Sequence, residues 1–299
     1  MQISDRLVEE GITIEPSEEH ALVYIVRDKD GRILDQEEFV TRFGDINDDY
    51  ALRSAPGFAD RRRICAEGDS WINILWPASS ILGHQKTLFD VIEGARKYDT
   101  LDLAYPGDTL AEIVKRKQYH APIGSARYDW FLFSAAGNDV LGGGAIRRYL
   151  LERDSIDPEA VDPGDWIVTK EFQGARDFVA VNYEIVAKEI NTWSSSQTSM
   201  LVHGYDYPVP RDNGRWLGKP LQSKGYDLTQ DAAIIARLLK YIVDSLYDTL
   251  EDVQKKQPHV TVVDLRGTVA GRWNDELHPM TAASTDLAAL FMSQIDLLS

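Results

Sequence analysis

From position 63 onward, short continuous apolar runs alternate with longer stretches in which apolar residues recur every three or four positions. The continuous runs, at 63–67, 99–104, 129–134, 200–203 and 259–265, are short enough for buried strands. Between them the helical period is clear. Leu82, Leu88, Val91, Ile92 and Ala95 share a face within 79–98, and further helices are predicted at 109–119 and 145–152. Phe178, Val181, Ile185, Val186 and Ile190 do the same in 174–193. Thr229 is placed to cap a helix carrying Ile234, Ile235, Leu238, Leu239, Ile242, Leu246 and Leu250, with Asp231 in its first turn, and a closing helix follows Met280. Residues 154–165, rich in Asp and Pro, read as a loop. Residues 205–227, broken by Pro208, Pro210, Gly214, Gly218, Pro220 and Gly225, form a loop long enough to wall or cover a site. Five strands separated by helices predict a parallel sheet covered on both faces, because parallel neighbours need crossovers.

Residues 1–58 follow a different pattern. The runs 21–26 and 32–34 flank Asp30-Gly31 and predict a β-hairpin. This segment reads as an N-terminal extension packed on a larger domain at 59–299.

Composition narrows the function without naming it. A hydrophobic fraction of 43% with 27% charged residues fits an ordinary folded protein. The formal charge of −16 opposes binding to phosphate backbones and anionic lipid surfaces, so no nucleic-acid partner is expected. The first residues lack the apolar core of a signal peptide, and no apolar run approaches the ~20 residues that span a bilayer. The expectation is a cytoplasmic protein without integral membrane association. A single cysteine, Cys65, excludes an internal disulfide and a cysteine metal cluster.

The chemistry begins at Glu67-Gly68-Asp69-Ser70-Trp71. A Ser following Gly-Asp at the end of a strand can be presented on a tight turn as a nucleophile, provided a base and oxyanion donors are supplied elsewhere. Gly107 lies in a Tyr-Pro-Gly-Asp turn, Asn138 in Ala-Gly-Asn-Asp, and Asp275 with His278 in Asp-Glu-Leu-His-Pro. In this order the four blocks resemble the SGNH (GDSL-type) hydrolase family of serine esterases and lipases. The resemblance implies a flavodoxin-like three-layer α/β/α sandwich with a five-stranded parallel sheet. Ser70 would be the nucleophile and His278 the general base, with Asp275 orienting the imidazole. The Ser70 and Gly107 backbone amides and the Asn138 side chain would form the oxyanion hole. Trp71 stands where many relatives carry Leu, and residues 1–58 precede the point where many relatives begin.

Other features carry less. Gly142-Gly143-Gly144 lacks the last Gly of G-x-G-x-x-G and any following Gly-Lys-Ser/Thr, so it reads as a loop. His84, His120 and His259 lack metal-ligand spacing. Trp71, His203 and Tyr205 are candidate pocket residues. The expected protein is a metal-independent serine esterase without a cofactor, acting on a small-molecule or acylated ester or thioester. An acyltransferase using the same site, or a silent binding protein on the same scaffold, are the alternatives.

Overall fold

The computed structural model describes residues 7–16, 24–34, 61–74, 86–125, 127–142, 144–194 and 197–298. Its centre is a five-stranded sheet, parallel throughout, built from β3 (Arg63–Gly68), β4 (Asp99–Asp102), β5 (Trp130–Ser134), β6 (Ser199–Val202) and β7 (Val260–Val262) in the order β4-β3-β5-β6-β7. The middle strand, Trp-Phe-Leu-Phe-Ser, is buried at every position. That explains its unbroken apolar run: a strand covered on both faces has no solvent side to encode.

Strand order and handedness place the helices. The step from β3 to β4 runs one way across the sheet and the later steps run the other way. Right-handed crossovers therefore put α1 (Leu88–Gly94) on one face and α2 (Leu110–Arg116), α3 (His120–Ser125), α5 (Thr169–Trp193) and α7 (Ala232–Lys256) on the other. The packing agrees. The closing helix α8 (Thr281–Leu297) lies against α1, whereas α5 packs on α2, α3 and α7. Two short helices, α4 (Gly137–Val140) and α6 (Gly218–Gln222), sit in the connections after β5 and β6. Both α1 and α2 open with a capping box, Thr87 with Asp90 and Thr109 with Glu112, which satisfies amides that a helix start leaves free.

The N-terminal strands β1 (Thr13–Pro16) and β2 (Tyr24–Arg27) form a separate antiparallel pair. The turn expected at Asp30-Gly31 is present. Leu34 N–H donates to the Val26 carbonyl at 2.9 Å, and the Asp28 carboxylate accepts the Asp30 and Arg32 amides. Residues 21–23 of the expected hairpin lie outside the described residues, as does 79–85 of the first expected helix. The partner β1 had no clear signal.

Several boundaries differ for identifiable reasons. Residues 145–152 form only a 3-10 turn, Ala145–Arg148, because the following backbone pairs elsewhere. Leu151 donates to Trp166 O, and Val168 donates to Tyr149 O. Helix α5 begins at Thr169, five residues before the expected start, and carries Gly174 within it. Asp227, not Thr229, caps the turn before α7, its carboxylate accepting the amides of Thr229 and Gln230. No helix among the described residues is long and apolar enough to cross a membrane.

Candidate active site

The carboxyl ends of the parallel strands gather residues from distant parts of the chain. At the end of β3, the backbone of Gly68 runs so close to β5 that a Cβ there would lie 2.2 Å from the Ser134 carbonyl oxygen. Only glycine fits, and the chain then turns sharply into Asp69 and Ser70. The Asp69 amide closes on Ser134 O at 2.9 Å. Its carboxylate accepts the Trp71 amide, the Ser134 hydroxyl and the Tyr205 phenol. Burial raises the Asp69 pKa, and those bonds oppose the rise.

Ser70 and His278 meet across 208 positions of sequence, with Oγ and Nε2 2.8 Å apart. The other ring nitrogen, Nδ1, faces the Asp275 carboxylate at 2.7 and 2.8 Å. Asp275 also accepts the amides of Leu277 and His278, so its own turn fixes its position. Burial pushes this carboxyl upward, but the imidazole and amide bonds outweigh it and hold the pKa below the usual value. The side chain facing the imidazole is therefore an anion through the neutral range.

Asn138 arrives on α4, directly after β5. Its amide nitrogen donates one hydrogen to the Asp108 carbonyl at 2.8 Å, which among the described residues leaves the second available. Ser70, Trp71, Asn138, Tyr205, Leu277 and His278 line one small cavity of 20 Å³, room for about one water molecule. Gly107, at φ +87°, does not line that cavity. It stands one residue before Asp108 and so is tied to Asn138 through the backbone. Of the candidate pocket residues, Trp71 is on the wall, its indole N–H donating to Leu277 O at 3.0 Å. Tyr205 reaches the cavity while its hydroxyl is engaged with Asp69. His203 is fully buried beneath Trp71 and against Phe291 and does not line the cavity. Desolvation lowers its pKa to about 3, so it is neutral.

Trp216, whose ring meets His278 edge to face at 6.3 Å, and Trp273, a further wall residue, lie in no motif block and carry no local signal of their place. Among the described residues no group of three or more His, Cys, Asp or Glu could hold a metal ion.

Glu67, beside this turn, is 1% exposed. Its Oε1 accepts the Gly68 amide, and Oε2 has no partner among the described residues. Burial first, then the nearby Asp108, lifts its pKa from 4.5 to about 8. An unfolded chain releases this proton near 4.5 and the folded chain retains it, so Glu67 lowers stability progressively as pH rises from about 4.5 to 8. Glu67→Gln is expected to raise Tm little at pH 4.5 and increasingly toward pH 8. Each unit of separation is worth ~1.4 kcal/mol. Thermal melts across that range check it, and a pH-independent difference would contradict the assignment.

The site is thus a Ser–His–Asp constellation at the rim of a parallel α/β/α sandwich, and that sandwich is the SGNH-hydrolase fold. Among solved structures, phospholipase A1 from Streptomyces albidoflavus NA297 is similar at 15% identity and TM-score 0.52, covering 78% of this chain and 99% of that one. The acetylxylan esterase Axe2 from Geobacillus stearothermophilus aligns at 13% identity and TM-score 0.45, covering 78% of this chain and 94% of its own. Compared by sequence, the chain matches no family model and no curated protein.

Proposed function

We propose that the protein is a serine esterase that works through an acyl-enzyme. The observation that carries this reading is the continuous contact from Ser70 Oγ through the His278 ring to Asp275. His278 Nε2 takes the hydroxyl proton as Oγ bonds to the ester carbonyl carbon, and Asp275 stabilises the resulting imidazolium. The carbonyl oxygen gathers negative charge against the Ser70 amide and the Asn138 side chain. His278 then passes its proton to the departing alkoxide. A water molecule deprotonated by the same nitrogen attacks the acyl carbon and frees the acid.

The substrate reading rests on space. A groove of 810 Å³, lined by Asn138, Val140, Gly142, Tyr149 and, on α5, Gly174 and Phe178, shares Asn138 with the cavity beside Ser70. A void of this size accommodates a drug-sized ligand, so the preferred ester extends well beyond an acetyl group. Gly174 is exposed, with nothing within 4 Å of where a Cβ would sit. Gly174→Leu should fill the groove without lowering Tm, since leucine is the better helix former. The expected result is a roughly tenfold lower kcat/KM for an octanoyl ester and an unchanged value for the acetyl ester. Equal loss on both would remove the groove from the substrate's path.

The direct test of the mechanism is a fluorophosphonate, which forms a P–O bond with an activated serine and expels fluoride. Intact-mass and peptide analysis should find one adduct, on Ser70. Hydrolysis of p-nitrophenyl esters with no adduct at Ser70 would overturn the reading.

A further inference from the structure

Two left-handed residues that are not glycine flank one hydrogen bond, one at its acceptor and one just before its donor. Tyr205 has φ +71° and Ala136 has φ +82°. The Tyr205 hydroxyl accepts the Gly137 amide, the residue after Ala136, at 2.9 Å. It donates to Asp69, the residue before Ser70, at 2.5 Å. Gly137 must lack a side chain for this, since a Cβ would lie 2.8 Å from the phenol ring. Strained backbone of this kind persists only where its surroundings hold it. One phenol therefore links the turn that carries Ser70 to the turn that carries Asn138.

The same segment is tied to the His278 turn further along. Glu276, 2% exposed, lies between Asp275 and His278 but points away from them. Its carboxylate accepts four backbone amides, those of Arg211, Trp216, Leu217 and Gly218, at 2.7 to 3.1 Å. Arg211 returns a bond to Trp273 O at 2.9 Å. Asp206, between the two anchor points, accepts the amides of Gly267 and Val269.

We propose that residues 205–218 form a strap that sets the spacing of the catalytic centre, with Tyr205 and Glu276 as its positioning residues. Tyr205 fixes the distance between nucleophile and oxyanion donor. Glu276 fixes the strap, with its Trp216, against the base. Neither group touches the reacting atoms. The inference rests on the esterase reading of Ser70.

Tyr205→Phe removes only the bridging hydroxyl. A displaced oxyanion donor costs transition-state contacts and leaves ground-state binding in place. The expected result is a kcat on a p-nitrophenyl ester lowered about 10- to 100-fold, with KM changed less than threefold and Ser70 phosphonylation slowed in parallel. Tyr183→Phe is the matched control. Tyr183 is as deeply buried, and its hydroxyl bonds both backbone groups of Ala135 on the same connection, yet it has no bond to Asp69. It should lose stability with kcat within threefold of wild type. In Glu276→Gln, the amides of residues 216–218 should exchange with solvent at least tenfold faster while kcat/KM falls about tenfold.

Wild-type kcat in Tyr205→Phe, equal losses in the two tyrosine variants, or faster exchange in Glu276→Gln with unchanged kcat/KM would each overturn the assignment. Ser70→Ala in the same assay separates the two levels. If it retains full turnover, the esterase reading itself falls. If it is inactive while Tyr205→Phe equals wild type, only the strap falls.

Discussion

Replacing Ser70 with alanine is expected to lower kcat on a short p-nitrophenyl ester by a factor on the order of 10⁴–10⁶ and leave the fold intact. The size follows from the absence of a substitute among the described residues. Oγ is the atom within hydrogen-bonding distance of His278 Nε2, and the cavity beside it holds about one water molecule. A trapped water could be deprotonated by His278, but it would attack without the acyl-enzyme step. The cost to stability should stay within ~1 kcal/mol, because the lost hydroxyl leaves the imidazole facing that cavity. Turnover with melts separates the outcomes: loss of activity at an unchanged Tm supports the nucleophile, and preserved activity removes it.

The second large effect is expected at Asp275, where Asp275→Asn should reduce kcat on the order of 10³–10⁴ with little change in KM. Two backbone amides, from Leu277 and His278, donate to Oδ1. The new carboxamide would keep its oxygen there and turn its NH₂ toward His278 Nδ1. A donor in that position places the imidazole's own proton on Nε2, facing Ser70, where no proton can then be accepted. The native carboxylate, held below the usual pKa by the same bonds against the pull of burial, stabilises the fold above about 3.8 and loses that contribution as pH falls through its lowered value. The Asp275 charge is therefore not what limits activity around neutral pH. A variant retaining a tenth or more of kcat would show that ring orientation does not depend on this side chain.

Strands were easier to read in the sequence than the contacts that join their ends. The run at 129–134 is buried on both faces, so burial and pattern coincide. Residues 145–152 have helical spacing, yet tertiary pairing with 166–168 takes the backbone groups a helix would use. Ser70, Asn138, Asp275 and His278 could be picked out because each sits in a short block after an apolar run. Tyr205 and Glu276 could not. Their partners lie 136 and 68 positions away for the Tyr205 hydroxyl, and 58 to 65 for the Glu276 carboxylate. The Glu276 carboxylate takes backbone amides, which any residue but proline can supply, and the Tyr205 hydroxyl reaches Asp69 with no local pattern to mark the pair. The assignment of His203 to the pocket failed for a related reason: a position just past a strand end can turn inward as readily as outward.

The 208 positions between Ser70 and His278 also have a consequence in time. At ~5–20 residues per second of synthesis, the serine is added to the chain roughly 10–40 s before the histidine. Throughout that interval its hydroxyl is an ordinary alcohol, without the imidazole that would take its proton as it accepts an acyl group from an ester. On the esterase reading, reactivity would arrive only as the final strand and helix dock, and a chain released before the Asp275–His278 turn is made would carry Ser70 without the imidazole proposed as its base.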